Sequence, residues 1–173
     1  MPKQLKSSRV YLLAFTFILC LMGSFYVLFV HIHQSHNQWK NYTQLEMEKS
    51  KHLNQAILIS GYGGFIHNFK NAVLRRDPQY LAQAEIQIKT SIDALDKYLA
   101  LTPQHVQQVM AIQHVISQYQ AKLPLLKQLI IRGGDVENID QQVKINDALA
   151  IKALRDILNS SQTHPLTMLQ KTE

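Results

Sequence analysis

The segment Gly61-Tyr-Gly-Gly-Phe-Ile-His-Asn-Phe-Lys-Asn-Ala-Val-Leu-Arg75 holds the residues best suited to chemistry. His67 and Asn71 are four apart, Lys70 is three from His67, and Arg75 lies one turn beyond Asn71. On a helix these four share one face. Such a donor-rich stripe can hold a carboxylate or a phosphate-like ligand. The same stripe can instead pair with Asp93, Asp96 or Glu85 on a neighbouring helix. Gly61, Gly63 and Gly64 fall where a continuous helix is predicted, and each costs ~1 kcal/mol relative to alanine in a helix interior. Glycines in such a place admit close helix–helix contact, mark a kink, or leave room for a ligand. Phe65 and Phe69 read as core.

Other chemistry has little support. His33 and His36 are three apart and could share a metal on a helix, and His31 is close by. No third protein ligand stands near them, so they read as interfacial polar residues and no metal is expected. There is no G-x-S-x-G, no H-E-x-x-H, no phosphate-cradling glycine loop and no cysteine nucleophile. Ser160, Ser161 and His164 lie in a weakly patterned tail. Asn41-Tyr42-Thr43 matches a glycosylation sequon, a motif that recurs by chance. No enzymatic activity and no cofactor are expected.

The elements that must carry these residues begin with an anchor. Val10 to Val30 is an uncharged apolar run. At ~1.5 Å per residue it covers the ~30 Å hydrocarbon core once. Lys3, Lys6 and Arg9 precede it, and the first full cation on the far side is Lys40. The positive-inside rule predicts a cytoplasmic N-terminus and residues 31–173 across the membrane, which in a bacterium is the periplasmic side of the inner membrane. The run exceeds the ~7–15 residues of a signal-peptide core and lacks a small-x-small site near its end, so an uncleaved signal anchor is expected. Leu19 before Cys20 does not fit a lipoprotein cleavage site. Cys20, the single cysteine, lies inside the span. The rest of the chain must therefore fold by packing alone, with residues enough for one core.

Eighteen Lys and Arg against twelve Asp and Glu give a net charge of +6. Setting aside the three flank cations, which suit anionic headgroups, leaves about +3 spread over the remainder. That is too weak and too dispersed for a nucleic-acid interface to be expected.

Beyond the span the sequence reads as helical throughout, with no strand-length alternation. The first outer helix continues from the membrane through Trp39, Leu45, Leu53 and Ile57 to about Arg75. Asp77-Pro78 starts a second, with Leu81, Ile88, Ile92, Leu95 and Leu99 on one stripe. Thr102-Pro103 starts a third, carrying Val106, Val109, Ile116, Tyr119, Leu123, Leu126 and Ile130 and ending at Gly133-Gly134. Pro124 is expected to kink or split it. A polar stretch follows. Asn146 or Asp147 then caps a short last helix with Ala150, Ile151, Leu154 and Leu158 inward. The predicted fold is all-α: a basic flank (1–9), a transmembrane anchor (10–30), an up-and-down four-helix-bundle-like domain (31–159) and a frayed tail (160–173).

The block GYGGFIHNFKNAVLR resembles one in the sensory ectodomains of bacterial membrane receptors, chiefly diguanylate cyclases and chemoreceptors. A looser second block, Ile139 to Leu154 (IDQQVKINDALAIKAL), is similar to the late segment before their second span. The resemblance covers roughly residues 55–158. It implies an all-helical periplasmic sensing module, usually dimeric, with Gly61, Gly63, Gly64, His67, Lys70, Asn71 and Arg75 on the signature positions. Those receptors continue into a second span and a cytoplasmic output domain, which this sequence does not include. The expectation is a truncated or split receptor, or a module acting alone through a partner.

These readings predict a single-pass membrane protein whose outer domain binds a small ligand or partner and signals by helix repacking. A homodimer or a membrane signalling partner is expected. The alternative is a membrane-anchored scaffold or assembly protein that binds another membrane protein and no small ligand.

Overall fold

In a computed structural model the backbone of residues 3–61 and 63–169 and the side chains of residues 11–61 and 63–160 are described. The fold is all-α, and no strand occurs among the described residues. The chain divides into two units, Met1–Glu46 and Met47–Glu173.

The first unit is the N-terminal part of helix α1 (Lys3–Ser60). Every described side chain from Tyr11 to Phe29 is exposed. An 18-residue window reaches a mean hydropathy of 2.3, so this helix is long and apolar enough to cross a membrane. Two of its hydroxyls turn back onto the helix: Thr16 Oγ1 donates to the Leu13 carbonyl and Ser24 Oγ to that of Cys20, each at 2.9 Å. Such bonds remove donors that hydrocarbon could not satisfy. Trp39 and Tyr42 meet edge-on further along the same unit.

In the second unit α1 ends at Ser60 instead of running on to Arg75, and a separate helix α2 (Phe65–Arg75) follows. The glycines are the cause. Gly63 has φ +85°, a left-handed conformation that other residues adopt only with strain. At Gly64 an added Cβ would lie 1.8 Å from the Ile59 carbonyl oxygen, so only glycine fits. Gly64 N–H donates to the Gly61 carbonyl at 2.9 Å, and the Gly64 carbonyl accepts from Asn68 N–H to start α2.

Helix α3 (Gln79–Leu101) starts where Asp77-Pro78 places it, with Asp77 Oδ1 accepting from Gln79 N–H at 2.8 Å. A 3-10 turn at Pro103–His105 leads into α4 (Val106–Ile131). Pro124 does not split α4. Pro124 and Gln120 both lie on its exposed side, where water can take the carbonyl that the proline leaves unbonded. At the far end Gly133 has φ +72°, Gly133 N–H donates to Ile130 and Gly134 N–H to Leu129, which closes the helix in a Schellman motif.

The stretch after Gly134 is not an irregular polar connection. Asp135 caps a helix α5 (Val136–Val143) by accepting from Glu137 and Asn138 N–H. Its apolar pair Ile139 and Val143, four apart, is fully buried. Eight residues give too short a periodic pattern to stand out among polar neighbours. The last helix, α6 (Ala148–Leu169), is longer than expected and passes the Ser160 boundary of the predicted frayed tail. Residues 170–173 lie outside the described ones. Asn146, not Asp147, supplies the side-chain cap, its Oδ1 accepting from Ala148 N–H. Ala150 and Leu154 pack on the core. Ile151 is 56% exposed and Leu158 44%, against expectation, and Ala153 and Ile157 face inward in their place.

Within this unit α2 packs on α3, α3 on α4, and α4 on both α5 and α6. One continuous core joins Phe65 and Phe69 of α2, Ile88 and Leu95 of α3, Ile116, Tyr119 and Leu126 of α4, Ile139 of α5 and Ile157 of α6. Leu53 and Ala56 of α1 belong to it as well. Each helix places its apolar residues at intervals of three and four, so one stripe of each is removed from water.

Candidate functional site

The predicted donor stripe lies on α2. Lys70 Nζ is 3.0 Å from Asp140 Oδ1 on α5, an exposed pair. The Arg75 guanidinium stands over the Tyr80 ring at 5.6 Å. His67 and Asn71 are half-buried on the same helix. The acidic partners expected for this stripe are engaged elsewhere. Glu85 pairs with Lys89, Asp93 with Lys97, and Asp96 accepts from Gln113. Two of these partners are one helical turn away in the same helix, where pairing needs no tertiary alignment. The Lys89 ammonium holds the Glu85 carboxyl below its usual range.

Gly61, by contrast, borders a cavity of about 240 Å³ inside the second unit. Leu53, Ile57 and Gly61 form one wall of it, Phe65 and Ile66 of α2 the next, and Ile112, Ile116 and Tyr119 of α4 the floor. Ala150, Ile151 and Leu154 of α6 close the remaining side. The exposed Ile151 stands at its rim. None of His67, Lys70, Asn71 and Arg75 lines it.

Three polar side chains reach this otherwise apolar space: Ser60, Tyr119 and Asp147. Tyr119 Oη donates to both Asp147 oxygens, at 3.0 and 3.1 Å. Burial, then the Asp147 charge and the hydrogen bond to it, push the Tyr119 phenol well above its ordinary range, so it keeps its proton. The Tyr119 ring is held edge-on by Phe65 and Phe69, with centroids 5.3 and 5.1 Å away. Ser60 Oγ is 2.9 Å from Ser91 Oγ, and the buried Ser91 hydroxyl donates to the Ala56 carbonyl at 3.5 Å. The glycine break is itself tied to α3. Asn68 Nδ2 donates to Gln87 Oε1 at 2.7 Å, and Gln87 Nε2 to the Gly63 carbonyl at 3.3 Å.

Tyr119 and Asp147 were readable only in part. Tyr119 falls on the apolar stripe of α4, and a tyrosine there needs a partner for its hydroxyl, which is the available signal. Asp147 reads from sequence as a helix cap, and nothing local reveals that its carboxylate faces a tyrosine 28 residues earlier. A second polar cluster lies at the other end of α3, where His105 Nδ1 is 2.6 Å from Tyr98 Oη and His105 Nε2 is 3.1 Å from Ser160 Oγ. Burial, and secondarily Lys49, lower the affinity of His105 for a proton.

No family model, curated protein or solved structure matches this chain.

Proposed function

We propose that this protein is a single-pass membrane sensor module. In this reading the N-terminus is cytoplasmic, residues 31–173 are periplasmic, and the outer helices form an up-and-down bundle that binds a small ligand. The resemblance of the Gly61–Arg75 block to receptor ectodomains supports the assignment. The observation that carries it is the apolar cavity of about 240 Å³ bordered by Gly61. A cavity of this size forfeits packing contacts that a filled core would make. An occupant restores them and stabilises the liganded arrangement over the empty one. The break between α1 and α2 is where repacking is easiest, because its backbone is held by single hydrogen bonds in place of a helical ladder. Movement there is the proposed signal, passed to a second copy or to a membrane signalling partner.

The test uses the full chain in lipid nanodiscs. Metabolites are screened by thermal shift, and each one that stabilises is followed by hydrogen exchange across residues 57–66. A ligand at a hundredfold excess over its Kd adds ~2.7 kcal/mol of stability. Slowed exchange at the break is the expected result. A cooperative fold that no small molecule stabilises rejects the sensor reading.

A scaffold reading draws on a different observation: Met110 of α4 and Leu149 of α6 are large apolar residues left exposed. Co-purification of a stoichiometric membrane partner, with no ligand found, would favour it.

A further inference from the structure

We propose that the cavity takes a small apolar amine, with its ammonium on the Asp147 carboxylate and its hydrocarbon body among Leu53, Ile116 and Leu154. This rests on the sensor reading and names the ligand class. Size sets the first limit. An apolar cavity of ~150 Å³ holds benzene, so about 240 Å³ holds one ring with a short chain.

The polar groups of the wall set the second. The Tyr119 hydroxyl has one proton, and it is spent on Asp147. The Ser60 hydroxyl is engaged with Ser91. Gly61 N–H is bonded to the Ile57 carbonyl. Among the described residues the wall therefore offers acceptors and one carboxylate but no spare donor, and no Lys, Arg or His lines it. A ligand must bring the donors, and an anionic one would meet a like charge. An ammonium brings three donors and the complementary charge.

The test titrates the full chain in lipid nanodiscs with 2-phenylethylamine, 2-phenylethanol and 3-phenylpropionate, read by calorimetry at neutral pH. The amine should bind about tenfold or more tighter than the alcohol, because a charge-assisted hydrogen bond replaces a neutral one. The carboxylate should not bind measurably. Asp147→Asn should bring the amine down to the level of the alcohol and leave the alcohol unchanged. Tyr119→Phe, which frees the carboxylate of its internal donor, should keep or raise amine affinity. Equal binding of amine and alcohol, or a preference for the carboxylate, overturns the amine class while the cavity stays a ligand site. That wild-type comparison decides the matter even if Asp147→Asn fails to fold. Binding of none of the three to a cooperatively melting protein overturns the amine proposal, whereas the sensor reading falls only if the wider metabolite screen also finds no stabilising ligand.

Discussion

The Tyr119 hydroxyl reaches Asp147 across 28 residues of sequence and bonds to both carboxylate oxygens, at 3.0 and 3.1 Å. This joins the middle of α4 to the start of α6 at the wall of the cavity. Tyr119→Phe keeps the ring against Phe65 and Phe69 and removes only that bond. It should cost about 1.5 kcal/mol, as for a hydrogen bond to a charged group. Tyr119→Ala also deletes a buried ring and should cost about 3–5 kcal/mol. Urea unfolding of both variants measures the difference.

The same bond has a pH signature. The folded phenol binds its proton more tightly than the unfolded one, whose ordinary value is 10.0. Stability from Tyr119 is therefore intact below pH 10 and falls as pH rises above it. Ultraviolet titration of the folded proteins should show as many tyrosinates formed near pH 11 in Tyr119→Phe as in the wild type, because Tyr119 still holds its proton there. The wild-type loss of stability above pH 10 should be steeper than that of Tyr119→Phe.

His105 acts at the acidic end. Its proton affinity is lowered by burial, and its ordinary value is 6.5. The neutral ring is the one the fold accepts, so stability is intact above pH 6.5 and declines as pH falls below it. His105→Asn should flatten the dependence of unfolding free energy between pH 7 and pH 5, measured by denaturant melts at each pH.

The glycines should separate by geometry. Gly64→Ala forces a Cβ to 1.8 Å from a backbone oxygen, so α1 or α2 must move, and it should be the most damaging. Gly63→Ala has open space but a left-handed backbone, and should cost about 1–2 kcal/mol. Gly23→Ala meets nothing within 4 Å and should be neutral. Melting temperatures of the three variants in nanodiscs test this order.

Lys70→Ala removes an exposed ion pair with Asp140 and should cost less than about 1 kcal/mol. Because Lys70 and Arg75 lie off the cavity, Lys70→Ala and Arg75→Ala should leave 2-phenylethylamine affinity unchanged. Lost affinity in either variant would return the ligand to the α2 stripe.

The sequence by itself determined the all-helical class, the apolar N-terminal run and most of the inward stripes. Leu81, Ile88 and Leu95 of α3 and Val109, Ile116, Tyr119 and Leu126 of α4 are buried as their spacing requires. Those features depend on period and composition, which are local. Gly61, Gly63 and Gly64 also announced an interruption, but its nature was decided by a close approach of Gly64 to the Ile59 carbonyl, which only the folded backbone contains. The inward face of α6 carries Ala153 and Ile157 in place of Ile151 and Leu158, because packing against α4 selects among stripes that the sequence leaves nearly equivalent. Glu85 and Asp93 pair one turn along their own helix, and Lys70 crosses to Asp140 of α5 in place of the acids of α3. The cavity and the Tyr119–Asp147 bond needed tertiary structure altogether. Both arise from segments far apart in the chain, and a void is a property of how side chains fail to meet, which no spacing encodes.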